Sequence, residues 1–154
     1  MIDALVALND SILLVGVAMY FGTGWSTELF TVPVYPSLTV DNYALHFVPQ
    51  IKRAVRFFVV LATILWIAAG IMVISEIRTW HVVFPAVVLA ALLISGILTM
   101  RLIFPINNRL VAGVHDEAEL KRLLGRWIRL NRIRLGFWTI EMLGLAAFFG
   151  VSVR

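Results

Sequence analysis

An all-α bundle of four membrane-spanning helices is what this sequence predicts, with an amphipathic cytoplasmic helical extension leading into the fourth span. Three observations predict it. Of the 154 residues, 61% are hydrophobic and only 14% charged, against roughly 45–50% and 25% in average chains. The apolar residues fall into four windows of spanning length, and the basic residues crowd into two of the three connections between them. A chain of 154 residues suits a single domain. Cysteine is absent, which excludes disulfide frameworks, thiolate zinc sites, iron–sulfur clusters and cysteine nucleophiles.

Taken in order, Ser11–Thr27 holds 17 residues without a charge. Phe57–Ser75 and Val82–Met100 hold 19 each without one, and Leu135–Val153 holds 19 with Glu141 alone. About 17–25 apolar residues cross a bilayer, which places the spans at 8–31, 54–76, 81–103 and 133–153. The first is unlike a secretory leader: Met1–Asp10 carries Asp3 and Asp10 and no Lys or Arg, and Tyr20, Phe21 and Trp25 stand where small residues would precede cleavage. A first loop of about 25–30 residues carries Pro33, Pro36 and Pro49, which argue against one continuous helix. Glu76–His81 makes a tight hairpin, Pro105 ends the third span and Gly113 suits a turn. No internal repeat is evident.

Eleven of the thirteen basic residues flank the first loop (Lys52, Arg53, Arg56) or fill the third (Arg101 to Arg134); Arg78 and Arg154 lie opposite. By the positive-inside rule the basic side is cytoplasmic and both termini face out, in a plasma or bacterial inner membrane. The net charge of +4 then reports topology and contact with anionic headgroups, and no basic face remains for nucleic acid.

The third loop carries its own pattern. Asp116-x-x-Glu119 reads as a capping box. Leu120, Leu123, Leu124, Trp127 and Ile128 then form one apolar stripe, predicting an amphipathic helix at 116–131, with Lys121, Arg122, Arg126 and Arg129 opposite and Glu117–Lys121 as an i,i+4 pair. No proline separates it from the fourth span, so Asp116–Val153 is able to form one helix of 38 residues, about 57 Å long. Small residues four apart (Ala18, Gly22 and Ser26; Ala91, Ser95 and Thr99; Ala146 and Gly150) are expected to form the packing seams.

Ionisable groups inside a span are costly and therefore default to functional hypotheses. Glu141 lies two turns beyond Arg134 on the same helix face, either as an ion pair with Arg134 or Arg56, or as an acid–base group. Glu28, near the end of the first span, is placed in the same layer, or as a carboxylate snorkelling to water. Asn107 and Asn108 beside Arg109 suit an oxyanion or carbonyl, or the last carbonyls of the third span. Trp127, Asn131 and Arg134 share one face, and His46 in the first loop is a further candidate. No HxH, HxxxH or ExxH spacing marks a metal site, which leaves only a metal held by Glu28, His46 and Glu141 from separate segments as an open alternative, and no phosphate loop or nucleophile motif occurs. No cofactor is expected.

Pro105-x-Asn107-x-x-Leu110 after the third span, followed by Trp127-x-x-x-Asn131-x-x-Arg134 leading into the fourth, resembles the anthrone-oxygenase-like family of small four-span membrane proteins, most of which are bacterial domains of unknown function. The likeness covers nearly the whole chain in layout; where the family often has histidine, this chain has Asn131. The resemblance implies cofactor-independent oxygenation of an anthrone to an anthraquinone. Glu141 or Glu28 would take the ring proton, while Arg134 and Asn107 would hold the oxyanion. A hydrophobic cavity with Asn108, Trp127, Asn131 and His46 near it would admit the flat substrate. Two other classes stay open: a non-catalytic subunit of a membrane complex or homo-oligomer, and a small proton-coupled transporter.

Overall fold

Helix formation is nearly continuous, because the chain offers long apolar runs with few residues that interrupt them. The computed structural model describes residues 2–152; Val153, the last residue assigned to the fourth span, and Arg154 lie outside them. Helix α1 (Ile2–Ser26) continues through a π-helical turn (Thr27–Thr31) and a 3₁₀ turn (Val32–Ser37). Helix α2 covers Tyr43–Glu76, and a 3₁₀ turn (Trp80–Val82) leads into α3 (Val83–Leu98). A second π turn (Thr99–Ile103) joins α3 to α4 (Phe104–Ala112), and α5 is Glu117–Ser152. The result is four columns, Ala4–Ser37, Tyr43–Glu76, Trp80–Ala112 and Glu117–Ser152, each long and apolar enough to cross a membrane. At 33–36 residues each is about 50 Å long, some 20 Å more than the hydrocarbon core.

The extra length corrects two expectations. Pro49 does not break the chain into a long loop: it lies inside α2, which starts at Tyr43 rather than 54. The carbonyl it leaves without a donor belongs to Leu45, on an exposed face. The connection shrinks to 38–42, closed by Thr39, whose N–H donates to Asn42 Oδ1 at 2.8 Å and whose carbonyl accepts from the Tyr43 N–H at 2.9 Å. Nor does Pro105 end the third column. It sits in the first turn of α4, where its missing N–H costs nothing.

Pro33 and Pro105 are accommodated in the same way. In the two π turns the N–H of Val32 reaches back five residues to the Thr27 carbonyl, and that of Phe104 to the Thr99 carbonyl. Each bulge is thus a Thr-x₅-Pro segment, Thr27–Pro33 and Thr99–Pro105, in which the helix slips by one residue ahead of a proline that cannot donate.

The columns run up and down as a ring, α1 beside α2, α2 beside α3, α3 beside α5 and α5 beside α1. Two core clusters lie along its axis. One, around Leu13, Val17, Leu65, Met72, Leu92 and Leu145, fills the end near the 77–79 hairpin. The other, around Tyr35, Tyr43, Phe47, Ile106, Leu110, Leu124 and Trp127, fills the basic end. The stripe Leu120, Leu124 and Trp127 is buried in this second cluster, with Leu123 and Ile128 partly buried against it. It packs on protein, and α5 is uninterrupted from Glu117 to Ser152.

Gly113 takes φ +105°, the left-handed region, and makes the turn before α5. Asp116 caps α5 as expected, its Oδ2 accepting the Glu119 N–H at 2.8 Å. The Glu119 carboxylate does not reach back; it binds Arg109 in two hydrogen bonds of 2.8 and 2.9 Å. Glu117 likewise leaves Lys121 and accepts the Val40 N–H at 2.9 Å, tying the first connection to α5.

The small-residue seams are only partly where expected. Ala91 and Ser95 are buried, but Ala18, Gly22 and Ser26 on α1 and Ala146 and Gly150 on α5 face outward. The close approaches use other glycines. A Cβ on Gly24 would lie 2.7 Å from the Trp138 ring and 2.8 Å from Leu135, and one on Gly144 would lie 2.9 Å from Val88. Gly24→Ala should therefore cost about 1–3 kcal/mol by overpacking a buried indole that cannot move aside. Gly22→Ala, with nothing within 4 Å of the new methyl, should lose nothing. Thermal unfolding of the two variants in detergent measures the difference.

Candidate functional site

The two bulges flank a cavity of about 310 Å³ inside the ring at its basic half, at the lower end of the size range of ligand sites. Thr27 lines it from one bulge, and Thr99, Met100 and Ile103 line it from the other. Aromatic rings supply much of the wall: Tyr20, Tyr35, Phe58, Trp66, Trp127 and Trp138. Trp66 closes the hairpin-side end, its Nε1 donating to the Leu92 carbonyl at 3.3 Å. Val59 and Thr63 of α2 and Met100 also line the cavity and are exposed, so it opens sideways between α2 and α3, through the apolar flank of the bundle.

One wall is polar. The Trp127 indole N–H donates to Asn107 Oδ1 at 2.8 Å, and Asn131 Nδ2 donates to the Trp127 carbonyl at 2.9 Å. Asn131 Oδ1 accepts from one terminal nitrogen of Arg134, and the other donates to Thr99 Oγ1 at 3.5 Å. The chain Asn107–Trp127–Asn131–Arg134–Thr99 thereby joins α4, α5 and a π bulge. The Arg134 guanidinium also lies 4.5 Å from the centroid of the Trp138 ring, over its face, a cation–π contact. Trp138 is itself held between Tyr20, at 4.7 Å, and Phe58, at 5.7 Å between ring centroids.

Arg134 has no carboxylate within 4.0 Å among the described residues, whose ion pairs are His81–Glu76, Arg109–Glu119 and Arg132–Glu28. The expected pairing of Glu141 with Arg134 or Arg56 is not formed. Glu141 is fully buried, and its Oε1 accepts from Ser95 Oγ at 3.4 Å while Oε2 has no partner. It does not line the cavity; Ser95 does, and stands between them. Glu28 is not in the Glu141 layer either, since it binds the exposed Arg132 at 2.8 Å.

Of the residues singled out in the sequence, then, Asn107, Trp127, Asn131 and Arg134 come together, and Glu141 reaches the cavity only through Ser95. Asn108 and His46 do not join them. Both are exposed, Asn108 because the face of α4 that buries Ile106, Asn107 and Leu110 leaves it outward, and His46 because Phe47 takes the inward place on α2. Among the described residues no three His, Asp or Glu side chains gather as a metal site. The residues that sequence reasoning missed are Ser95 and Thr99, which their spacing assigns to packing, together with Tyr20, Thr27, Trp66 and Trp138. The repeated Thr-x₅-Pro segment is the signal that points to two of them.

Comparison of the chain with protein-family models, with curated proteins and with solved structures finds no match.

Asn131→Leu removes the acceptor of a buried guanidinium nitrogen and should cost about 1–3 kcal/mol, the penalty for an orphaned buried donor. Asn108→Leu, at an exposed position, should leave stability unchanged. Parallel thermal unfolding in detergent checks both.

Proposed function

We propose that this chain is an integral membrane protein that binds a flat, apolar, oxygen-bearing molecule and oxidises it, as the resemblance to anthrone oxygenases suggests. The observation that carries the reading is Arg134: a cation without a carboxylate partner among the described residues, on the wall of an otherwise largely apolar cavity. A carbonyl or phenolate oxygen is the ligand group that such a cation stabilises best in a low-dielectric site. Asn107 lies on the same wall with its Oδ1 already engaged, leaving its amide N–H groups for the same oxygen. The aromatic lining suits a planar ring system.

In this reading the basic end is cytoplasmic and both termini lie outside, because eleven of thirteen basic residues sit at that end. The excess column length, with the 117–131 segment of α5, then stands among the headgroups and beyond them. The opening between α2 and α3 lets a bilayer-dissolved molecule enter without crossing water. No cofactor is required. Removal of a ring proton gives an anion stabilised at Arg134, which dioxygen attacks to form a hydroperoxide. Loss of water then leaves the quinone, so that a ring CH₂ and O₂ become C=O and H₂O. Glu141 serves as a proton relay through Ser95 rather than as a base touching the ligand.

Anthrone and anthraquinone added to the protein in nanodiscs should quench tryptophan emission saturably, since Trp66, Trp127 and Trp138 line the cavity. Arg134→Gln should weaken binding roughly tenfold or more, the equivalent of one charged hydrogen bond, while Arg132→Gln should not. Dioxygen uptake with anthrone should fall in Glu141→Gln; unchanged turnover removes Glu141 from the mechanism. Absence of saturable quenching by either compound overturns the binding reading itself.

A further inference from the structure

A second, much smaller cavity of about 30 Å³ lies on the far side of Arg134, between the Thr23–Glu28 stretch of the first column and α5. Its volume gives room for one water molecule, two at most. Its polar lining is Thr23, Thr27, Glu28, Asn131 and Arg134, enough to supply the two to four partners that a buried water needs although Asn131 is engaged elsewhere. Thr27, Phe58, Arg134 and Trp138 line both cavities, so these four side chains are the partition between them. On that partition Arg134 Nε is buried and makes no hydrogen bond, although both terminal nitrogens of the same guanidinium do. A guanidinium that lines a polar space of one-water size while one of its donors is unpaired is what an internal hydration site presents.

Glu28 is the outer wall of that space. Its Oε1 is held by Arg132, whose side chain is 60% exposed, so one edge of the carboxylate meets the surface while the residue also lines the small cavity. The charged groups facing the space are Glu28 from the first column and Arg134 from α5, with Arg132 behind Glu28; the residue contributed by α2, Phe58, is apolar.

We infer that the small cavity is a water site joining the ligand cavity to the aqueous surface, and that Glu28 is the group through which water and protons exchange. This rests on the proposed reading of the larger cavity. A reaction that turns a ring CH₂ and dioxygen into a carbonyl releases one water into a space whose wide opening is apolar. The route past Arg134, Asn131 and Glu28 is the polar way out. Glu28 is a relay residue: it does not line the ligand cavity.

Two measurements test this, the first independent of any ligand. Hydroxyl radicals generated by X-rays in ¹⁸O-labelled water mark side chains next to bound water. Leu135, which is buried and lines only the small cavity, should take up the label. Thr23→Leu, which fills the small cavity from a position that does not line the large one, should reduce that uptake severalfold. Leu135 unlabelled in the parent, or labelled equally in Thr23→Leu, overturns the water site. The second is turnover: Glu28→Gln should leave anaerobic anthrone affinity within about twofold, yet slow oxidation by roughly a hundredfold, the scale of a lost proton-transfer group, with partial rescue in Glu28→Asp. Unchanged turnover removes Glu28 as the relay. Failure of anthrone to bind the parent protein sinks the reading of the larger cavity, while the labelling result still decides the water site.

Discussion

Proline at 33 and at 105 cannot donate a backbone hydrogen bond, and the whole site follows from how the helices absorb that loss. In each column the helix slips by one residue ahead of the proline instead of breaking. The consequence is visible in burial. Ser95 and Ile103 both face inward, eight residues apart, with Leu102 turned out; two turns of α-helix would bring the same face back after about seven. Gly24 and Val32 repeat the same spacing on the first column. The slip keeps the second half of each column in register with the core, so that Asn107 and Tyr35 point into the bundle. It also widens the helices where they pass Arg134, which is where the cavity lies.

A guanidinium inside a largely apolar bundle is expensive, because apolar side chains offer it nothing. The bundle meets the cost with neutral groups: an amide oxygen from Asn131, a hydroxyl from Thr99 and the face of Trp138. Those contacts fix the orientation of Arg134 without cancelling its charge. Trp127 and Asn107 extend the same network to α4. The polar wall is therefore rigid, since moving one member would orphan the next. Tyr43 does similar work nearer the end of the bundle, where its hydroxyl accepts the Val114 N–H at 2.6 Å and donates to the Leu110 carbonyl at 3.3 Å. The Gly113 turn is thereby pinned to α2.

The features legible in the sequence were those set by local chemistry. Four long apolar columns, the shared face of Leu120, Leu124 and Trp127, the Asp116 cap, the Gly113 turn and the shared face of Trp127, Asn131 and Arg134 all follow from spacing within one helix; that the first of these faces packs into the bundle core does not. What misled was anything that needed a neighbour. Pro49 looks like a helix breaker, yet α2 carries it because the neglected carbonyl is on an exposed face. Gly22 and Gly24 are two residues apart and equally small, but only the second meets an indole. Asn107 and Asn108 are chemically identical, and the bulge decides which of them turns inward. Glu28 carried no sign that it would meet Arg132 across the α1–α5 interface rather than Glu141.

Arg134 and Glu141 stand seven residues apart on one helix, with opposite charge types and a shared face, and the simplest economy of such a pair is to neutralise one another. They do not. Ser95 holds the carboxyl on the α3 side, while Asn131 and Thr99 hold the guanidinium a layer below. Each is thus satisfied only in part, with Glu141 Oε2 and Arg134 Nε left over. If stability were the only demand on these positions, well-packed apolar side chains would serve as well or better, since buried ion pairs seldom outperform them. A buried acid and a buried cation kept apart are costlier still. That separation leaves the cation facing the larger cavity and the acid one hydroxyl behind its wall, an arrangement that suits the proposed reaction, in which an oxygen is held and a proton moved.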